Sequence, residues 1–178
     1  MWGYVYSMEP LKKTTSSSVS DGTGITSGMS EMVSGAFPDE RKTRDARQKA
    51  FALEAAMSHG DTIDIPIDHY FCDGIYARTM YMPKGSVIVG KIHKYPQLNI
   101  LAKGDVTVAM EDGPERLKAG WHKVCTPGAK RSFYAHEDSV WTVVLQTRLT
   151  DVEQIEKEFV AETEQEYLDF KNMLEDKT

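Results

Sequence analysis

Few side chains in this 178-residue chain are of a kind that does chemistry, and their spacing limits what that chemistry can be. Five histidines, His59, His69, His93, His122 and His136, stand singly, and Cys72 and Cys125 lie far apart without metal-ligand spacing. There is no GxSxG elbow, no GxxxxGK[ST] phosphate loop and no HExxH pair, so the common nucleophile, nucleotide and zinc-hydrolase signatures are missing. Along a strand alternate residues share a face, which sets Lys91 beside His93 unless a bulge at Gly85 or Gly90 reverses the phase. His93, His122, His136 and Asp138 are the other combination able to converge. A metal there needs set geometry and supporting hydrogen bonds, and the simpler reading has each histidine bonding nearby backbone. His59 falls at a helix C-terminus, where its partial positive charge suits the helix dipole. Both cysteines read as small buried thiols, the commonest state of a free cysteine.

The elements that must position these residues are mostly strands. From residue 63 to 148 short runs of β-branched and aromatic residues alternate with Gly-, Pro- or Asp-containing turns about every ten residues. Strands are expected at 63–70, 74–82, 86–93, 97–103, 105–110, 115–118, 121–126, 131–136 and 139–148, closing as a two-sheet jelly roll. Before them, residues 38–60 read as a helix with Asp39 as cap, Glu40 in the first turn and Gly60 as stop. Ala46, Ala50, Leu53 and Met57 align on its buried face, and Arg41, Lys42, Arg44, Arg47 and Lys49 fall on a solvated face. Residues 14–36 are Ser-, Thr- and Gly-rich and bury too little apolar surface to order alone. After Thr150, a candidate cap, Val152, Ile155, Phe159, Tyr167, Phe170 and Leu174 trace one helical stripe with a gap near Thr163. The expected organisation is thus a flexible arm over 1–38, a helix over 39–60, a β-barrel over 61–149 and an acidic helical segment over 150–178. The class is mainly β, a small jelly-roll barrel with an N-terminal helix and arm and a C-terminal amphipathic helix.

Charge narrows the partners. The net charge is -6, but residues 151–178 carry ten acids and three lysines, leaving the rest near neutral. A near-neutral body with an acidic tail lacks the basic surface that phosphate backbones require, so direct nucleic-acid binding is not expected. No apolar run approaches the roughly 20 residues that span a bilayer, and the polar stretch after Tyr6 is unlike a secretory signal. A soluble protein made in the cytoplasm is the simplest expectation.

Residues 75–148 resemble the cupin superfamily of small jelly-roll barrels, which includes isomerases, epimerases, dioxygenases and noncatalytic members. The first cupin motif runs glycine, His-x-His, Glu, glycine; Gly85, Lys91, His93, Gln97 and Gly104 stand in those places. In the second motif Gly120 leads to Thr126, Gly128 and Arg131, with Pro127 displaced by one and Arg131 where the last histidine belongs. The phrases GKIHK, LNI, EDG, PGAKR and YAHEDSVWT further resemble cupin-like proteins of tailed bacteriophages. What the resemblance implies is a degenerate pocket of Lys91, His93, Gln97 and Arg131 that keeps its turn glycines and has lost its metal ligands. Lysine and arginine stay protonated at neutral pH and Gln is a weak ligand, so no metal and no cofactor is expected. The guest of such a cationic place is an anion, supplied by a ligand or by an internal Asp or Glu.

Three functions then stand open. The first is a noncatalytic structural or adaptor protein, a virion component at the tail, a fibre-attachment point or the capsid. It would be made in the host cytoplasm, homo-oligomeric, and joined to protein partners through the arm and terminal helices. The second is a cupin enzyme or binding protein acting on an anionic or nucleotide-linked sugar, with Tyr76 or Tyr81 lining the pocket. The third is an accessory protein that binds a host factor.

Overall fold

The computed structural model describes residues 3–7 and 39–176. In chain order the elements are β1 (Gly3–Ser7), α1 (Glu40–Met57), β2 (Ile67–Cys72), β3 (Ile75–Met82), β4 (Ser86–Gly90), β5 (Ile92–His93) and β6 (Gln97–Lys103). They continue with β7 (Asp105–Met110), β8 (Gly113–Lys118), β9 (His122–Cys125), β10 (Ser132–Ala135), β11 (Ser139–Gln146), α2 (Val152–Phe159), β12 (Val160–Ala161) and α3 (Glu164–Glu175). Two five-stranded antiparallel sheets form, ordered β1-β4-β10-β7-β8 and β2-β3-β11-β6-β9, and a third pair joins β12 to β5. The order mixes distant strands in both sheets, as a jelly roll does.

Alternation explains the core. On β11, Trp141, Val143 and Leu145 point inward while Val140, Thr142 and Val144 point out; the inward set meets Tyr76, Met82, Leu101 and Val106 in one cluster. β4 departs from alternation: Ser86, Val87, Ile88 and Val89 are all buried. Ile88 faces the barrel core, and Val89 packs outward against Ala50, Leu53 and Met57 of α1. A continuous apolar strand covered on both faces is the consequence. Gly104, in the left-handed region at φ 94, turns β6 into β7 where a Cβ would collide with Ser139, which is why that motif glycine persists.

The first expected strand runs 67–72 rather than 63–70, and a strand precedes α1 that the sequence reading had placed in the arm. Gly3–Ser7 pairs with β4 along its whole length, where Val5 and Tyr6 are buried. Residues 8–38 of the expected arm lie outside the described residues. Trp2 lies outside them as well.

Asp39 caps α1 as expected, accepting from the Arg41 amide at 3.0 Å. Arg47 corrects the expected solvated basic face. It is 2% exposed, because the helix buries the Thr43, Arg47 and Ala50 side against the barrel. Its guanidinium forks onto Glu164 through Nε and Nη2, each at 2.5 Å, and donates Nη1 to the Gly128 carbonyl at 2.7 Å. The Tyr167 ring lies 4.9 Å away under the same group. One side chain thereby joins α1, α3 and the Pro127-Gly128 turn. Gly128 has φ 82, and a Cβ there would come within 2.6 Å of the Tyr167 hydroxyl. Arg47→Lys keeps the charge but cannot fork; it should lose about 2–3 kcal/mol in urea denaturation, whereas Arg41→Ala on the exposed side should stay within about 0.5 kcal/mol.

The C-terminal segment is two helices. Asp151, not Thr150, caps α2, accepting from Gln154 at 2.9 Å. The chain then extends through Val160 and Ala161 to pair with β5, and Thr163 caps α3, accepting from Glu166 at 3.1 Å. The gap in the apolar stripe near Thr163 marks this break. Ile155 and Phe159 reach the main core, and Tyr167 joins Ile92 and Ala161, so α2 and the first turn of α3 cover their own barrel. Among the described residues no helix is long and apolar enough to cross a membrane.

Candidate functional site

Between the two sheets lies a cavity of about 80 Å³, walled by Arg78, Met80, His93, Asn99, Phe133 and Trp141. Strand phase places these side chains. Tyr76, Arg78, Met80 and Met82 are the inward positions of β3, and Gln97, Asn99 and Leu101 those of β6. Trp141 on β11 donates its indole N–H to Asn99 Oδ1 at 3.1 Å, in a fully buried contact. The His93 backbone is held on both sides, donating to the Ala129 carbonyl at 3.1 Å and accepting from the Gly128 amide at 2.8 Å. The Pro127-Gly128 turn thus fixes where the imidazole sits. Burial pushes His93 down to about 3, and the charges of Arg78 and Arg131 push the same way, so the ring is neutral at pH 7. Burial also draws Arg78 down to about 10, opposed by Tyr76 and Glu156. It remains a cation at neutral pH.

Of the four pocket residues expected from the motif, His93 alone lines this cavity. Lys91 falls in the break between β4 and β5, where neither strand's alternation governs it. Its ammonium meets Glu162 at 2.6 Å and Glu156 at 3.3 Å; burial opposes the charge, yet Glu162 and Glu156 together hold it above its ordinary value. Gln97 is buried at the start of β6, opposite Cys125. Arg131 points at Glu111, at 2.5 Å, and its Nε is buried without a hydrogen bond among the described residues. The two cations are therefore met by internal carboxylates. Arg78, Asn99 and Trp141 were not singled out from the sequence; the available signal was an arginine at an inward position of an alternating strand.

The other candidate groups do not converge. His122 bonds the Gly120 carbonyl at 3.1 Å, His136 shares a 2.7 Å bond with Thr107, and Asp138 accepts from the Lys84 amide at 2.9 Å. His69 and Tyr76 share a 2.7 Å bond, and Tyr76, wholly buried, is pushed up to about 12 by burial. Tyr81 faces out and donates to Asp68 at 2.7 Å. Cys125 is buried, whereas Cys72 is exposed, correcting the expectation of two buried thiols; it ends β2, a strand on the edge of its sheet. Burial raises the Cys125 thiol, which keeps it protonated and a poor nucleophile.

The donor set does not fit the metal of a cupin. Among the described residues no group of three His, Cys, Asp or Glu could hold one. The imidazole that remains shares its cavity with a guanidinium, whose charge repels a divalent ion. The polar groups on the cavity wall are Arg78, His93, Asn99 and Asp64, a mixed set of cation, neutral donors and one carboxylate.

No protein-family model matches the sequence, and no curated protein matches it. Among solved structures the chain is similar to KdgF from a Halomonas species, at 20% identity over 49% of this chain and 82% of that one, with a TM-score of 0.42. An RmlC-like cupin from Shewanella frigidimarina aligns at 13% identity over 49% and 78%, with a TM-score of 0.42. A cupin-2 domain protein from the same organism aligns at 12% over 56% and 98%, with a TM-score of 0.39. At these scores the likeness is slight, and the strand order itself makes this chain a two-sheet jelly-roll barrel.

Proposed function

We propose that this chain is a noncatalytic structural or adaptor protein built on a degenerate cupin barrel, serving as a component of a tailed-bacteriophage virion at the tail, a fibre-attachment point or the capsid. The observation that carries the reading is the pairing of Lys91 with Glu156 and Glu162, and of Arg131 with Glu111. At two of the four motif positions where a cupin would hold a metal ligand, a cation stands instead and is neutralised by the chain's own carboxylate. The first of these pairings fastens the C-terminal segment to the barrel, so the lost ligand has become part of the scaffold. The viral assignment draws on sequence phrases that resemble those of phage cupin-like proteins. Partners would meet the N-terminal arm and the terminal helices. Mass spectrometry of purified particles is expected to find the chain at a copy number matching a symmetric ring, and particles without it would refute the assignment.

A second reading is favoured by one observation, the Arg78 guanidinium on the cavity wall: a cupin-type enzyme or binding protein for an anionic or nucleotide-linked sugar. The size of the cavity weighs against it, since pockets for such ligands run to about 300–1,000 Å³. Thermal shift separates the two. Nucleotide sugars and divalent metals should leave Tm unchanged for the scaffold and raise it by several degrees for the binding protein.

A further inference from the structure

The two helices of the C-terminal segment are held differently. α2 sends Ile155 and Phe159 into the main core. α3 buries one side chain, Tyr167, and among the described residues a cleft of about 420 Å³ lies between its Phe170 and Leu174 and the Tyr95 and Pro127 of the barrel. Ion pairs supply the rest: Glu164 takes the Arg47 fork, Glu166 meets Lys94 at 2.7 Å and Lys171 meets Glu40 at 2.5 Å. The Glu166 and Glu40 carboxylates are 43% and 65% exposed, and pairs so open to water hold weakly. The Arg47 fork and the Tyr167 ring are left as the main fastening. That fastening ends at His93. Arg47 also donates to the Gly128 carbonyl, the Tyr167 hydroxyl stands against the Gly128 α-carbon, and Gly128 and Ala129 together hold the His93 backbone. On the other side His93 pairs with Val160 of β12, and the Lys94 amide donates to the Phe159 carbonyl at 2.8 Å. His93 is thus gripped by a turn and a strand that both lead to α3.

We propose that α3 is a latch: it swings from the barrel as a unit while α2 stays docked, and its release loosens the grip on His93, so that the outer helix and the imidazole on the cavity wall are coupled. The joint is Thr163, whose backbone is extended at φ -119 and ψ 158 between β12 and α3; rotation there breaks no bond inside either helix. A helix with one buried side chain belongs to the low-stability end of a fold, and one carried by core residues does not. Ile155, Phe159 and Val160 therefore keep α2 and β12 in place. When α3 leaves, Arg47 loses the acceptor of two of its donated bonds, Lys94 loses its carboxylate, and the Gly128 turn loses the tyrosine packed on it. The turn passes this on at once, because the carbonyl and amide of His93 are bonded to its consecutive residues Gly128 and Ala129. Coupling of this kind is reciprocal. A guest that displaces the imidazole raises the open population of α3, and a partner that takes hold of the open helix alters the cavity. The warrant is one contiguous set of contacts that is made or released together, and it does not depend on the virion assignment.

Native-state hydrogen exchange of the full chain, read by NMR together with the His93 ring signals, tests both parts. The Phe170 and Lys171 amides of α3 should exchange about a hundredfold faster than those of α2 and β11 and depend little on urea, as local opening does. The Gly128 and His93 amides should exchange with the α3 set. Glu164→Gln, which takes the charge from the Arg47 fork, should speed the α3, Gly128 and His93 amides together by about tenfold and shift the His93 ring signals. Glu166→Gln, which leaves Arg47 paired, should act in the same direction through Lys94 and serves if Glu164→Gln does not fold. Val143→Ala opens a hole in the core that is present whether α3 is open or closed, so it should speed the α2 and β11 amides and leave the α3, Gly128 and His93 amides unchanged. Exchange of α3 at the rate of α2 overturns the proposal. So does exchange of Gly128 and His93 with the α2 and β11 set, or a pair of glutamine variants that leaves the α3 rates or the His93 ring signals as in the wild type.

Discussion

Glu111→Gln is expected to destabilise the protein by about 3–5 kcal/mol, because it leaves the Arg131 guanidinium buried without its counter-charge. The two side chains are 10% and 13% exposed and 2.5 Å apart, and the Arg131 Nε already lacks a hydrogen bond among the described residues, so no second carboxylate is shown to take up the loss. For a chain of this length that free energy corresponds to a fall in Tm of roughly 10 °C. The double variant Arg131→Met/Glu111→Leu should recover most of it, since a buried ion pair replaced by apolar groups of similar volume is commonly neutral or better. Urea denaturation followed by circular dichroism measures all three chains. The result bears on function as well as stability. If Arg131 serves the scaffold, the apolar pair can stand in for it; if it were kept for a ligand, Glu111→Gln would free it, and inorganic phosphate would then restore the Tm of that variant. Recovery by the double variant with no response to phosphate is the outcome the scaffold reading requires.

How far the sequence carried the fold depended on periodicity. The strands at 75–82, 97–103, 105–110 and 139–146 were legible because alternation and Gly- or Pro-bearing turns are local signals, and the Asp39 cap was legible for the same reason. Edge strand β1 was not. Its five residues sit beside β4 only because the chain returns there after 80 residues, a contact no local pattern encodes. Arg47 shows the converse: a helical wheel assigns arginine to the solvent, but a guanidinium can be buried where Glu164 and a carbonyl satisfy its fork. In the site, the motif located His93 and the turn at Gly128 that holds it. It did not locate Arg78, Asn99 or Trp141, which reach the cavity through strand phase and long-range pairing. Lys91 escaped because the strand breaks at Gly90, and alternation ends where the strand does.

The stability of the protein should fall as pH drops from 6.5, and His93 should be the main cause. Its folded value of about 3 lies far below the ordinary histidine value near 6.5, so between those two the unfolded chain binds a proton that the native ring refuses. Stability contributed by the neutral ring is full above about pH 7 and declines by about 1.4 kcal/mol per unit as pH falls through the window. His69 and His136 are also lowered, each by burial first, and add to the slope in the same direction just below 6.5. The lowered carboxylates, among them Glu40 and Asp105, contribute only near and below their own ordinary range, about pH 4.5. The interval from pH 6.5 to 4.5 therefore reports the histidines. Over it the wild type should lose about 3 kcal/mol through His93 alone, while His93→Gln, which keeps a polar group but cannot titrate, should lose correspondingly less. The variant starts lower at pH 7 and the two curves converge in acid. Parallel curves would show that the ring accepts its proton in the native state, and that the cavity tolerates a second cation beside Arg78.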